Sequence, residues 1–222
     1  MNCALAVDTA SSLMSVCLKK NNAYFEMTID NGLKHSETLM NTILLVLKEA
    51  DVNRKDLELL VCSEGPGSFT GLRIGMSTIK GLAFGLSIPY TAVVTTDYLA
   101  YGFDYFDGVV VPLMDARKKR YYCGFYSEGK KLEGPFDLSE DEILKKTSAF
   151  DKVLFTGPDC RMVSTESRKG LCYDGNNKSG KSRQLLELGL KRYDAEGCLS
   201  KDYGPLYLRR SEAEIALYGE KT

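Results

Sequence analysis

The sequence has no tryptophan, one histidine and no uncharged run long enough to cross a membrane. Its longest uncharged stretch, residues 81–96, is interrupted by Gly85 and Pro89 and falls short of the ~20 apolar residues that a membrane helix needs. The single imidazole, His35, excludes metal sites built on a pair of histidines. Asp8 precedes any apolar run that could act as a signal sequence, so we expect a cytoplasmic protein.

Charge and cysteine usage exclude further classes. The 29 basic and 30 acidic residues give a net charge of −1, so the chain lacks the basic field of a protein that binds nucleic acid tightly by itself. The seven cysteines contain no C-x-x-C pair, which argues against a disulfide framework and a zinc ribbon. Cys3, Cys17 and Cys62 lie in apolar runs, where we expect them to be buried. We expect no cofactor.

The order of predicted elements repeats along the chain. The first half predicts strands over 3–8, 13–20, 24–29, 57–62 and 90–94 and helices over 36–51, 70–86 and 96–101. The second half predicts strands over 109–113, 120–126, 132–136, 153–155 and 171–173 and helices over 139–146 and 182–193. Two β-β-β-α-β-α units therefore indicate an α/β protein with two similar lobes facing a cleft, and one irregular mixed sheet is the alternative. We expect the lobes to span 1–104 and 105–222, with the last helix packing back on the first lobe.

A glycine-rich segment, residues 65–75, lies between a predicted strand and a predicted helix. Thr70 stands where the dinucleotide-binding pattern needs a third glycine, and no Gly-Lys-Ser/Thr follows as in a phosphate-binding loop. Glycines recur every four residues at Gly67, Gly71 and Gly75, which indicates the close approach of another backbone. That backbone belongs either to the chain's own sheet or to a partner.

The first predicted helix is apolar over more than one face. Its apolar arc exceeds the roughly 100° that packing on one sheet requires, which predicts a second contact surface; deep burial would give the same pattern. The same helical face could also join two copies of the free chain. The predicted partner interface consists of Leu39, Met40, Ile43, Leu44, Leu47, Gly71 and Gly75.

Three polar segments admit two interpretations each. Asp8 and Ser11, with Gly67 and Ser68 of the glycine segment, could form a vestigial nucleotide contact, but the spacing favours a turn held by local backbone hydrogen bonds for the Asp8–Ser12 segment. His35 is interpreted as a helix cap or a solvent-facing residue. The basic run 117–120 is expected in a solvated turn, where it could also touch RNA or an acidic partner.

Four segments together resemble one protein family over nearly the whole chain. They are residues 5–11 (LAVDTAS), 65–75 (GPGSFTGLRIG), 115–117 (DAR) and 205–209 (PLYLR). The sequence is similar to the bacterial TsaB family, also called YeaZ, of tRNA threonylcarbamoyladenosine biosynthesis proteins. After Asp115-Ala-Arg the family commonly carries Gly-Glu, whereas this sequence has Lys119-Arg120.

The resemblance implies a duplicated α/β fold of the actin-like, sugar-kinase-like type. It also implies a non-catalytic partner of the paralogue TsaD, which transfers threonylcarbamoyl to the adenosine beside the anticodon of tRNAs reading ANN codons. The ATPase TsaE would complete the set, and tRNA would be reached only through the complex. Thr96 and Ala100 match the two positions where the paralogue carries its metal-binding histidines. The alternative function is an independent ATP-binding phosphotransferase or ATPase.

Overall fold

The first sheet is built around a strand that is buried along its whole length. The computed structural model describes residues 1–32, 34–166 and 168–209. The sheet order is β3-β2-β1-β4-β5, with β2 antiparallel to its neighbours and β4 and β5 parallel to β1. These strands are β1 (Cys3–Asp8), β2 (Leu13–Lys20), β3 (Ala23–Asp30), β4 (Leu59–Gly65) and β5 (Tyr90–Val94).

The side chains of β1 alternate between two cores. Leu5 and Val7 point to one face of the sheet, and the smaller Ala4 and Ala6 point to the other. Because both faces are covered, β1 is apolar on both sides apart from Asp8 at its end.

The second sheet repeats the order of the first. Its order is β8-β7-β6-β9-β10, which matches β3-β2-β1-β4-β5 strand for strand. These strands are β6 (Val109–Asp115), β7 (Arg120–Ser127), β8 (Lys130–Ser139), β9 (Val153–Thr156) and β10 (Leu171–Tyr173). The predicted duplication is confirmed, and the alternative of a single irregular sheet is wrong. The result is a two-lobed α/β arrangement with five strands in each lobe.

Helices lie in three layers that alternate with the two sheets. The helices are α1 (His35–Glu49), α2 (Phe69–Leu86), α3 (Thr95–Ala100), α4 (Glu140–Thr147) and α5 (Ser182–Glu196). Helices α1 and α2 cover one face of the first sheet, α3 and α5 cover the other, and α4 covers the outer face of the second sheet. In the second lobe, the position equivalent to α2 is occupied by a short 3-10 turn, Cys160–Met162, in the described chain.

Helices α5 and α3 hold the interior of the molecule between the sheets. Gly189 of α5 faces Val61 of β4, where an added Cβ would lie only 2.4 Å from Cγ1 of Val61. A glycine at this position therefore lets the helix approach the sheet closely. Helix α3 meets the second sheet through Tyr126, whose hydroxyl lies 2.9 Å from Oγ1 of Thr96 and 2.6 Å from Oδ1 of Asp97.

The local predictions are confirmed, with small shifts at element ends. Ser139 and Glu142 form the predicted capping box at the start of α4. Strand β4 begins at Leu59, where its pairing with β1 starts, and a 3-10 turn, Arg54–Asp56, precedes it. The expected burial of the three cysteines in apolar runs is also confirmed. In the described chain, no helix combines the length and hydropathy needed to cross a membrane.

The interpretation of His35 as a cap or solvent-facing residue is wrong. His35 is buried as the first residue of α1, and its Nε2 lies 2.8 Å from the carbonyl oxygen of Ser11. The side chain thus ties the helix start to the turn between β1 and β2. Lys34 occupies the cap position and makes no side-chain cap hydrogen bond.

Candidate functional site

A cleft of about 660 Å³ opens between the lobes at the carboxyl ends of β1, β4 and β6. This is the edge where open α/β sheets bind ligands. One wall carries the β1–β2 turn and the start of α2, including Ser11, Gly67 and Ser68. The other wall carries the β6–β7 turn and Asp159.

Residues 205–209, here called the strap, run through the cleft from one lobe to the other. At the first lobe, the amide of Leu206 donates to the carbonyl oxygen of Glu64 at 2.8 Å, and the Tyr207 ring stacks on Phe69 with 4.4 Å between centroids. At the second lobe, the Arg209 guanidinium pairs with Asp137. The strap therefore joins the two walls and occupies part of the space between them.

Two acids shape the wall of the second lobe. The carboxylate of Asp159 accepts a hydrogen bond from the amide of Asp115 at 2.8 Å. Burial raises the pKa of Asp159, the hydrogen bond from the Asp115 amide opposes this rise, and the nearby Asp115 carboxylate adds to it. These two acids line the same wall as Arg117 and Lys118, so acidic and basic side chains lie side by side there.

Asp8 lies behind the cleft rather than in its lining. Its Oδ1 accepts hydrogen bonds from the amide of Ala10 at 3.0 Å and from the hydroxyl of Tyr98 at 2.7 Å. Burial raises the pKa of Asp8, and these two hydrogen bonds oppose the rise. Local hydrogen bonds thus hold the Asp8–Ser12 segment in a turn, since the Leu13 amide also donates to Oγ of Ser11. Ser11, Gly67 and Ser68 line the cleft, so a nucleotide contact there stays a prediction.

The glycines of α2 pack against the chain's own β1–β2 turn. An added Cβ would lie 2.1 Å from the carbonyl oxygen of Thr9 at Gly71 and 2.2 Å from Oγ1 of Thr9 at Gly75. At Gly67 it would lie 2.5 Å from the carbonyl oxygen of Ala10. The hydroxyl of Thr9 in turn donates to the carbonyl oxygen of Gly71 at 2.8 Å. The prediction that Gly71 and Gly75 form part of a partner interface is therefore wrong, because Thr9 already occupies the space beside both glycines.

Helix α1 divides its apolar residues between a core face and an exposed face. Leu39, Ile43 and Leu47 are buried against the first sheet, so the prediction that they form a partner interface is wrong. Met40 and Leu44 are exposed, with 44% and 54% of their surface accessible. Only these two residues of the predicted α1 set are open to a partner.

Helix α2 adds a second exposed surface, which consists of one large apolar side chain between two glycines. Phe84 is 77% exposed, and an added Cβ at Gly81 or Gly85 would meet nothing within 4 Å. The predicted interface does not include Phe84, although its i+3 position after Gly81 places both residues on the same side of the helix. We call the exposed residues Met40, Leu44, Leu45, Gly81, Phe84 and Gly85 the α1–α2 face.

Comparison with known proteins gives a close relative along almost the entire chain. A tRNA threonylcarbamoyladenosine biosynthesis protein, TsaB, of Bacillus subtilis (strain 168) is 36% identical over 95% of each chain. The chain belongs to the TsaB family. TsaB of Escherichia coli (strain K12) is 33% identical over 55% of this chain and 54% of that protein.

Two further comparisons concern a related family model and the fold of this TsaB-family chain. The family model described as TsaD, tRNA N6-adenosine threonylcarbamoyltransferase, matches residues 31–162. The structure of YeaZ from Pseudomonas aeruginosa superposes with a TM-score of 0.80 over 94% of this chain and 100% of that one, at 24% identity. That likeness supports the two-lobed fold. The chain is thus a TsaB-type protein of tRNA threonylcarbamoyladenosine biosynthesis.

In this TsaB-family chain, the two positions that the sequence resemblance matches to the paralogue's metal ligands lie inside the molecule. Thr96 is fully buried, and its Oγ1 accepts a hydrogen bond from the hydroxyl of Tyr126. Ala100 packs with Val110 between the lobes. Among residues 1–32, 34–166 and 168–209, no group of three or more His, Cys, Asp or Glu side chains is placed to hold a metal ion.

Proposed function

We propose that this chain is a non-catalytic subunit that docks on a TsaD paralogue through the α1–α2 face and supports the active conformation of that enzyme. The reaction served is transfer of threonylcarbamoyl to the adenosine beside the anticodon in tRNAs reading ANN codons. TsaE is the third component, and this chain reaches tRNA through the assembly. The observation that carries the proposal is the α1–α2 face on a member of the TsaB family.

The composition of the α1–α2 face suits a helix-to-helix contact. Phe84, Leu44 and Met40 leave large apolar side chains in water, and their burial would stabilise a complex by about 25 cal/mol per Å². Gly81 and Gly85 lie on the same exposed side of α2 and let a partner helix approach its backbone. A helix-interior glycine costs about 1 kcal/mol relative to alanine, so close approach gives these two glycines a purpose.

The free chain uses the same surface to form a homodimer in this proposal. A paralogue presents a similar helix pair, so a pseudo-twofold heterodimer and an isologous homodimer can share one face. The two assemblies then compete, and excess TsaD should convert homodimer into heterodimer.

The alternative, an independent ATP-dependent enzyme, has less support from the geometry. The carboxylate of Asp8 is buried, accepts a hydrogen bond from Tyr98 and does not line the cleft. Titrating the purified chain with ATP tests this alternative directly, because saturable binding followed by phosphate release would favour an enzyme.

Charged substitutions on the α1–α2 face test the docking proposal. We expect Leu44→Glu and Phe84→Glu each to leave a folded chain but to weaken both the TsaD complex and the homodimer at least tenfold. Leu132→Glu is the matched control, because Leu132 is 49% exposed on β8 of the other lobe. Light scattering and a tRNA modification assay with TsaD and TsaE measure the effect. Unchanged assembly in both variants, or modification that proceeds equally well without this chain, would contradict the proposal.

A further inference from the structure

We propose that the turn joining β6 to β7 contacts the phosphate backbone of the tRNA on which the assembly acts, an inference that rests on the proposed function. Arg117, Lys118 and Lys119 form this turn, and all three are exposed. Arg117 and Lys118 line the mouth of the cleft. We call these three residues the basic turn.

The backbone of the basic turn is held in an uncommon conformation. Its three residues have φ values of 61°, 54° and 57°, the left-handed region that side-chain-bearing residues rarely adopt in succession. Hydrogen bonds on both sides maintain it: the amide of Arg117 donates to Oδ1 of Asp115 at 2.7 Å, and the amide of Ala116 donates to the carbonyl oxygen of Arg120 at 2.9 Å. Strain of this kind concentrates at functional sites.

The strap reinforces the basic turn from the other side. The guanidinium of Arg209 donates to the carbonyl oxygen of Ala116 at 3.0 Å and pairs with Asp137. The carboxylate of Asp137 also accepts a hydrogen bond from Nε of Arg120 at 2.8 Å. Arg120 and Arg209 therefore share the partly buried carboxylate of Asp137, and Glu142 lies 3.4 Å from Arg120 as a second acid. The side chains of Arg117 and Lys119 are exposed beside this cluster.

Residues across the cleft add a surface that suits RNA. Arg73 lies over the Phe69 ring, 4.0 Å from its centroid, and donates to the hydroxyl of Tyr207 at 3.0 Å. Aromatic rings beside arginine are a common platform for RNA, and a neighbouring cluster of cations suits its phosphates. With a net charge of −1, the chain has no general basic field, so the basic turn adds contacts within an assembly and does not bind RNA tightly alone.

The test is a double substitution in the complete assembly with TsaD. The variant carries Arg117→Asn and Lys119→Asn, because asparagine tolerates the left-handed conformation. The control carries Arg54→Asn and Lys55→Asn, an equal loss of exposed charge before β4, at the opposite end of the first lobe from the cleft. Assembly is measured first without RNA, and binding of an unmodified tRNA transcript is then titrated at several salt concentrations.

We expect the double variant to fold and assemble like the parent but to bind tRNA on the order of tenfold more weakly at 0.1 M salt. The slope of log affinity against log salt should fall by about 1.5, since each lost phosphate contact removes about 0.7–0.9. The control should match the parent in both respects. Unchanged tRNA affinity and slope in a normal assembly would overturn this inference alone. Assembly weakened before RNA is added would assign the turn to a protein contact and also overturn it. Failure of the parent chain to assemble would overturn the proposed function together with this inference.

Discussion

Replacing Gly71 by alanine should destabilise the free chain, whereas the same replacement at Gly81 should stabilise it. Both residues lie inside α2, so alanine improves the intrinsic helix propensity equally, by about 0.5–1 kcal/mol. What differs is the space beside each Cα. The new Cβ would lie 2.1 Å from the carbonyl oxygen of Thr9 at Gly71 and would meet nothing within 4 Å at Gly81.

The size of the effect at Gly71 follows from the rigidity of its neighbour. Ordinary contacts of a Cβ begin near 3.4 Å, and the clashing atom belongs to the backbone of a buried turn, so α2 or the turn must move. Overpacking of this kind costs about 1–3 kcal/mol. After the helix gain is subtracted from the upper part of that range, the net loss is about 2 kcal/mol. For a chain of this size that lowers Tm by about 4–8 °C.

Thermal and urea unfolding of the two variants beside the parent measure the difference. Gly81→Ala should raise Tm by about 1–4 °C. The same variant should weaken the TsaD complex if a partner helix approaches that glycine. Equal stability of Gly71→Ala and the parent, or a fall in Tm at Gly81, would refute the assignment of the first glycine to the core and the second to the exposed face.

Three further predictions concern the buried face of α1, the ionisation of Asp8 and the metal content of the chain. Ile43→Glu should lower the free energy of unfolding by at least about 3 kcal/mol in urea titrations because it buries a charge, whereas Leu44→Glu should change it by under about 0.5 kcal/mol. Burial raises the pKa of Asp8 above its ordinary value of 3.8, so ionisation of Asp8 lowers the stability of the folded state as pH rises from about 4. The unfolding free energy of Asp8→Asn should therefore increase relative to that of the parent between pH 4 and pH 7. A constant difference between the two would contradict this. The chain purified alone should hold no stoichiometric zinc or iron and show no threonylcarbamoyl transfer, because the family resemblance matches Thr96 and Ala100 to the paralogue's metal ligands and neither side chain can replace an imidazole. Metal analysis that finds one tightly bound ion per chain would contradict this.

The sequence predicted the secondary structure and its duplication because those features depend on local patterns. Strand β1 carries apolar residues on both faces, and Ser139 with Glu142 is a capping box that acts within four residues. The order of strands in the second sheet then follows from the order in the first. None of these inferences needed to know which distant residues meet.

The partner interface was only partly predictable because burial on α1 depends on the helix's rotation about its axis. Leu39 and Met40 are both apolar and adjacent in sequence, yet one is buried in the core and the other is 44% exposed. An apolar stripe too wide for one sheet does not say which edge faces the sheet. The glycines of α2 pose the same problem, since Gly71 meets a turn some sixty residues earlier in the chain and Gly81 meets open space.

The position of α5 makes completion of the first lobe depend on the order of synthesis. Among the described residues α5 is the last helix, yet Leu185 and Leu186 pack on the face of the first sheet that contains Ala4 and Val61. A ribosome making this chain therefore releases the strands of the first lobe long before the helix that shields one of their faces. During that interval the alanine-lined face is open to solvent, to chaperones and to other nascent chains. The amino-terminal half can reach its final packed state only after the carboxyl-terminal half has been made.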